Sequence, residues 1–230
     1  MGCLPEVAER TTAARSARCE WSERDSDPLG PIAGQRACGV VDFGEEFFFG
    51  EIFYPPLFDP EGALRSHGEV IITAGDRDIY LKGEPDVARG WAPRRTLRGR
   101  HPLWLLSVLP HADAAGTAGE LTVMRGVETR RYEFTFDTRQ IERRIGERLD
   151  RPHVLRSPPF PAVLWLDDDG RIRRMSTTWP LIRTLLFGPH SRFVDPNGTA
   201  KQIWSTTELW DFGVEIAGRP RLLQLLTIHS

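Results

Sequence analysis

Polar and aromatic residues alternate along the middle of the chain, and this period of two predicts a β-strand over Val127–Phe136. Three aromatic side chains would share one face of that strand: Tyr132, Phe134 and Phe136. The other face would be polar, with Arg131, Glu133 and Thr135. Glu120–Met124 predicts the partner strand of a hairpin. Asp137 then predicts a helix cap, with Gln140 completing a capping box before a helix at Thr138–Leu149.

Further extended segments follow from the same pattern and from the turn residues between them. They are Ala17–Glu23, Arg36–Tyr54, Glu69–Thr73, Arg77–Leu81, Ala162–Leu166, Arg171–Met175 and Ile203–Val214. Phe47–Phe49 interrupts the alternation, which indicates either a strand buried on both faces or a bulge. Asp168-Asp169-Gly170 predicts a hairpin turn, because the distal glutamate of a calcium loop is missing.

Two helices are predicted besides the one after Asp137. Leu4–Arg15 has Pro5 in its first turn, where a missing N–H does no harm. Pro102–Leu109 is apolar nearly all round, which predicts burial on more than one side. One stripe of that helix contains Leu103, Leu106 and Leu109. Leu222–Ile228 is an apolar terminal segment, either strand or short helix.

Motifs that carry chemistry are absent from the sequence. There is no nucleophile elbow, no phosphate-binding loop and no dinucleotide fingerprint. The six histidines are scattered, and the three cysteines do not have the spacing of a zinc site. Cys19 and Cys38 fall on candidate neighbouring strands, so either a disulfide bridge or two buried thiols is compatible with the pattern. We therefore expect no enzyme activity, no catalytic residues, no metal and no cofactor.

Composition and charge narrow the class of partner. The chain has 230 residues and a net charge of −2, which gives no field to attract nucleic acid. Its apolar runs are too short for a transmembrane segment. The arginine cluster Arg94–Arg100 is either a solvated loop or an anion contact. The start of the chain as written predicts a cytoplasmic protein. Gly2-Cys3 resembles the end of a lipoprotein cleavage box, so the alternative is a cell-envelope lipoprotein anchored at Cys3 if the true start lies upstream.

Six blocks of sequence, in order along nearly the whole chain, resemble the LolA/LppX-like superfamily of lipoprotein carriers, and within it actinobacterial proteins of the LppX/LprG type. The blocks are Val7–Arg18, Gly39–Phe43, His101–Leu106, Met124–Tyr132, Val163–Arg174 and Glu208–Gly213. The resemblance implies an α+β fold, with a single domain over residues 1–230. Its single large curved antiparallel sheet would form a half-barrel of about ten strands, with helices packed on the concave face.

The same resemblance implies a function. In that family the space between sheet and helices holds acyl chains or other apolar ligands, so we expect a non-enzymatic carrier of a lipid or other hydrophobic molecule. The expected cavity wall consists of Leu103, Leu106, Leu109, Tyr132, Phe134, Phe136, Leu164 and Trp210. Trp104 and Phe187 are bulky for such a wall. The alternative is therefore an interaction or regulatory module with the same fold and a filled core, acting through a sheet edge or the arginine cluster.

Overall fold

The first and last strands that the structure describes lie side by side in the middle of one antiparallel sheet. This arrangement is seen in a computed structural model. The structure describes residues 4–25, 35–45, 47–53, 57–58, 64–65, 68–74, 77–81, 88–93, 106, 109–111, 117–137, 159–181 and 201–216. The predicted helix at Thr138–Leu149, the segment Leu222–Ile228, the arginine cluster and Cys3 lie outside these ranges.

The described residues form thirteen strands, numbered in chain order, and eleven of these form the main sheet. Their bounds are β1 Ser16–Asp25, β2 Gln35–Asp42, β3 Phe47–Phe53, β6 Gly68–Ala74, β7 Arg77–Leu81, β8 Ala88–Pro93, β9 Thr117–Met124, β10 Val127–Phe136, β11 Phe160–Leu166, β12 Ile172–Leu181 and β13 Lys201–Trp210. Two short strands, β4 Leu57–Phe58 and β5 Leu64–Arg65, pair with each other.

The order of the strands across the sheet is β8-β7-β6-β3-β2-β1-β13-β12-β11-β10-β9, and every neighbouring pair is antiparallel. One half of the sheet therefore extends outward from β1 and the other from β13. The sheet is curved, as the predicted α+β half-barrel requires, and its eleven strands are close to the expected ten.

Two predicted boundaries were wrong. Arg36–Tyr54 is not one extended segment but the hairpin β2–β3, which turns at residues 43–45. The Asp42 carboxylate accepts hydrogen bonds from the backbone N–H groups of Gly44 and Glu45, at 2.9 and 3.0 Å, and so closes the turn. The last strand ends at Trp210 rather than Val214, because Asp211 and Gly213 have φ of 47° and 78°.

Most other strand predictions are confirmed to within a few residues, including the hairpins β6–β7 and β9–β10. The strand β8 was missed, since its sequence ARGWAP has too little alternation to indicate one. The Asp168–Gly170 turn is confirmed: Gly170 has φ 75°, and its N–H donates to the Asp167 carbonyl at 2.9 Å.

The helix α1 spans Leu4–Thr12, within the predicted segment, and covers one face of the sheet. Its buried side chains recur at helical spacing: Leu4, Val7, Ala8 and Thr11. The helix packs against a 3-10 turn at Leu109–His111 and against β12. The Thr11 hydroxyl donates to the Val7 carbonyl at 2.8 Å and accepts from the Ile172 N–H at 3.0 Å. The hydrogen bond from Ile172 joins the helix to β12.

Candidate functional site

The face of the sheet that packs with α1, called here the inner face, is almost entirely apolar. Paired residues on adjacent strands point to the same side, so the register places one continuous surface across β10, β11, β12, β13, β1 and β2. Its buried side chains include Phe134, Leu164, Met175, Leu209, Cys19, Trp21, Ala37 and Val41. They form one cluster with the helix residues Leu4 and Val7.

Several of the residues predicted for a cavity wall meet on this surface. Leu164 and Leu109 are fully buried, and Leu106 and Phe134 are each only 6% exposed. Tyr132 is paired with Leu164 and packs against the same cluster. Leu103 and the side chain of Phe136 lie outside the described part of the chain. The structure thus brings five of the eight residues to one side of the sheet.

Trp210 lies on the opposite side of the sheet, called here the outer face. Its neighbour Leu209 points inward, so alternation along β13 turns the indole outward. The Arg125 guanidinium carbon lies 3.8 Å from the centre of the Trp210 ring. Trp210 is therefore left out of the candidate site.

The outer face is a layer of arginine, glutamate and tryptophan side chains. Glu208 accepts from Arg174 at 2.8 Å and pairs with Arg125 at 3.1 Å. Glu20 pairs with Arg125 at 3.2 Å and with Arg36 at 2.9 Å, and its hydrogen bond raises the pKa of Arg36. These cations and anions give the outer face a solvated, ion-paired character that an apolar ligand would avoid.

Of the described tryptophans, Trp21 belongs to the buried cluster of the inner face, whereas Trp165 lies on the outer face. Trp165 lies between Arg131 and Arg174, whose guanidinium carbons are 6.0 and 5.4 Å from its ring centre. Trp204 shares the outward parity of Trp210 on β13. Arginines cover the half-buried rings of Trp165 and Trp210 by cation–π contact, an arrangement that hydrophobicity alone does not reveal.

Small polar residues interrupt the apolar inner face near its centre, and the sequence analysis missed them. Thr177, Ser205 and Thr207 are buried on β12 and β13. The Trp21 indole N–H donates to the Ser205 hydroxyl at 3.2 Å. The Thr177 hydroxyl is buried without a hydrogen-bond partner. The sequence could have indicated this, because Thr177 lies two residues after Met175 and therefore on the same inward side of β12.

The two described cysteines do not form the bridge that the sequence left open. Cys19 pairs with Gly39 and points inward, whereas Cys38 pairs with Glu20 and points outward. Both are free thiols. Burial raises the pKa of the Cys19 thiol strongly and that of the Cys38 thiol more mildly. Cys19 is therefore a protonated apolar side chain of the inner face.

A pair of glycines brings two strands close together beside Cys19. Gly39 and Gly50 are directly paired between β2 and β3. A Cβ placed on Gly39 would lie 2.1 Å from the Phe49 carbonyl oxygen and 2.6 Å from the Gly50 Cα. Only glycine allows the two backbones to approach so closely. This close approach lies next to the buried ring of Phe48.

A salt-bridged turn closes one end of the inner face. The buried Asp167 carboxylate accepts from Arg173 at 2.8 Å and from Arg171 at 3.2 Å. Both guanidinium groups lie over the Phe212 ring, at 4.8 and 4.9 Å from its centre. Arg173 is the extra residue where the β11–β12 register shifts, and the bulge turns its side chain toward Asp167.

Within the ranges given above, no three His, Cys, Asp or Glu side chains come together in a way that could hold a metal ion. None of the helical segments that the structure describes has the length and apolarity to cross a bilayer.

No protein-family model matches the chain, and no curated protein matches it. Solved structures do resemble it. The crystal structure of LprF from Mycobacterium bovis has a TM-score of 0.54 at 12% identity, covering 93% of this chain and 94% of that one. The lipoprotein LppX of Mycobacterium tuberculosis has a TM-score of 0.47 at 13% identity, covering 93% and 96%. A LolA superfamily protein from Nitrosomonas europaea has a TM-score of 0.31 at 10% identity, covering 95% and 97%. The likeness to LprF concerns the fold.

Proposed function

We propose that this chain, which has a LolA/LppX-like fold, is a non-enzymatic carrier that holds a lipid or other hydrophobic ligand against the inner face of its sheet. One observation carries the proposal: the two faces of a single sheet differ sharply in chemistry. The inner face presents Leu164, Phe134, Met175 and Trp21, while the outer face presents paired arginines and glutamates.

The binding energy in this proposal comes from burial. Each methylene of an acyl chain removed from water contributes about 0.8 kcal/mol. The ligand surface consists of Leu106, Leu109, Tyr132, Phe134 and Leu164, with Leu103 and Phe136 as further predicted members. Because the resemblance implies a ligand between sheet and helices, α1 and the Leu109–His111 turn are the elements that would face it.

Uptake of a fluorescent fatty acid tests the proposal. The substitution Ala162→Leu adds bulk on the inner face, where Ala162 is buried between Phe134 and Thr177 in the register. Val163→Leu adds a methylene to the next residue, which points outward, and is the matched control. We expect wild type and Val163→Leu to take up the probe with equal affinity, and Ala162→Leu to bind it several-fold more weakly at nearly unchanged stability.

The alternative, an interaction module with a filled core, gives a different result in the same experiment. If the space is already packed, wild type takes up no probe. Overpacking by Ala162→Leu would then lower the free energy of unfolding by roughly 1–3 kcal/mol. The exposed apolar residues Leu121 and Val123 on the edge strand β9 favour this alternative, because an open edge can pair with a partner strand.

A further inference from the structure

A row of small side chains crosses the middle of the inner face. Ala162, Thr177 and Ser205 are directly paired in register from β11 to β13, and each is at most 2% exposed. Larger apolar residues lie in the next row, which contains Leu164 and Met175. The row therefore places two buried hydroxyl groups side by side within an otherwise apolar face.

The hydroxyl of Thr177 has no hydrogen-bond partner although it is buried. Buried polar groups in native proteins are nearly always paired, since an unpaired one loses its hydration without compensation. Valine has the same shape and would avoid this loss. A threonine at this position is therefore explained most simply by a partner that the protein chain does not supply.

Ser205 beside it has the capacity for a second donor. Its oxygen accepts the Trp21 indole N–H at 3.2 Å. A hydroxyl that accepts one bond still has its own proton to donate. Thr177 and Ser205 are opposite each other on adjacent strands, which is close enough for both hydroxyls to donate to one acceptor atom.

We propose that the ligand carries a carbonyl oxygen, from a carboxylic acid or an ester, that accepts hydrogen bonds from Thr177 and Ser205. This inference rests on the proposed carrier function and adds to it a polar anchor. The alkyl part of the ligand then lies over Leu164 and Phe134. An acyl chain joined to a carbonyl fits this combination of an apolar surface and two donors, whereas a pure hydrocarbon leaves the donors unpaired.

The test compares three ligands of equal chain length by displacement of a fluorescent dye: dodecanoic acid, its methyl ester, and dodecane. Thr177→Val removes the hydroxyl and keeps the shape. Thr177→Ser keeps the hydroxyl. Thr178→Val makes the same change one residue along, on the outer face, and is the matched control.

We expect Thr177→Val to bind the acid and the ester about three- to tenfold more weakly, the usual effect of one net hydrogen bond, and to bind dodecane as wild type does. The melting temperature of the ligand-free Thr177→Val protein should rise, because an unpaired buried hydroxyl is gone. Thr177→Ser and Thr178→Val should keep the wild-type preference. If wild type binds the acid and the ester with equal affinity, a carbonyl oxygen alone is enough for recognition. If it prefers the acid, recognition requires the free carboxyl group.

Two results distinguish a failure of the carrier function from a failure of the carbonyl anchor. If wild type binds none of the three ligands, the carrier function is wrong and the anchor with it. If wild type binds all three and Thr177→Val changes their affinities equally or not at all, the carrier stands and the carbonyl anchor is wrong; a water molecule held by the two hydroxyls would give this second result.

Discussion

Cys19, a single residue of the inner face, makes the free energy of unfolding depend on pH. Its thiol is fully buried, and burial raises its pKa, so the folded protein keeps the proton at a pH where the unfolded chain releases it. Above the ordinary cysteine pKa, near 8.5, the unfolded state therefore binds fewer protons, and the free energy of unfolding falls as pH rises. Cys38, with a smaller rise, acts in the same direction.

We predict that Cys19 contributes about 2 kcal/mol to the loss of stability between pH 8 and pH 10. Urea unfolding at the two pH values measures it. Cys19→Ala should lose less stability over this interval than wild type by about that amount, even though the variant is less stable at pH 8. Equal losses in the two proteins would show that the Cys19 thiol is not shielded from water.

A second prediction for a single residue concerns the effect of Gly39→Ala on stability. Gly39→Ala places a Cβ against the backbone of β3, which cannot yield without separating the strands, so we expect a loss of about 3 kcal/mol or more in the free energy of unfolding. Gly119→Ala is the control, because its nearest contact would be 3.4 Å away, and it should change stability by less than about 0.5 kcal/mol. Similar effects of the two substitutions would refute the tight approach of β2 and β3.

The side of the sheet on which each side chain lies was the feature of the site that the sequence predicted best. Alternation placed Tyr132 and Phe134 on one side of β10 and Arg131 and Glu133 on the other, and the structure agrees. It failed for Trp210, because the outward side of β13 contains two tryptophans while the inward side contains Ser205 and Thr207. A tryptophan covered by arginine looks like a core residue in the sequence.

At the scale of elements, the β9–β10 hairpin folds its tip across the outer face. Arg125 and Gly126 form the two-residue turn, with φ of 49° and 79°, which is the geometry of a type I′ hairpin. From this tip Arg125 reaches Glu20 on β1 and Glu208 on β13, although β10 is separated from β13 by two strands. The turn therefore links strands that are not hydrogen-bonded neighbours in the sheet.

We predict that Arg125→Asn frees this tip. Asparagine tolerates positive φ, so the turn is kept while the contacts to Glu20, Glu208 and the Trp210 ring are lost. Amide hydrogen exchange around the turn should accelerate several-fold, and stability should fall by about 1 kcal/mol. Arg130→Asn, an exposed change on the same hairpin, is the control. Unchanged exchange in Arg125→Asn would mean that the tip is held by the hairpin alone.

The elements themselves followed from the sequence to different degrees. Strands with clear alternation and turns with Gly or Asp were predicted well, because both signals are local. The β2–β3 turn was missed because Asp42 closes it with its own side chain, where the sequence has no Asn-Gly or Asp-Gly pair. The pairing of β1 with β13 has no local signal, since it joins the two ends of the described chain, and it was not predicted.

At the scale of the whole molecule, the separation of chemistry between the two faces is the basis of the proposed function. The outer face satisfies its charges by pairing and covers its rings with arginine stems, so it needs no second layer. The inner face can bury its apolar area only against helices, a ligand or both. The single domain over residues 1–230 and the placement of Leu103 and Phe136 remain predictions.

Photo-crosslinking with a diazirine-labelled fatty acid tests the central claim most directly, because it reports which face touches the ligand. Peptide mapping after irradiation should place the label on inner-face strands, at or near Trp21, Phe134 and Leu164, with unlabelled fatty acid competing it away. Labelling that is confined to outer-face residues such as Trp165 and Trp210, or that unlabelled fatty acid does not reduce, would contradict the account.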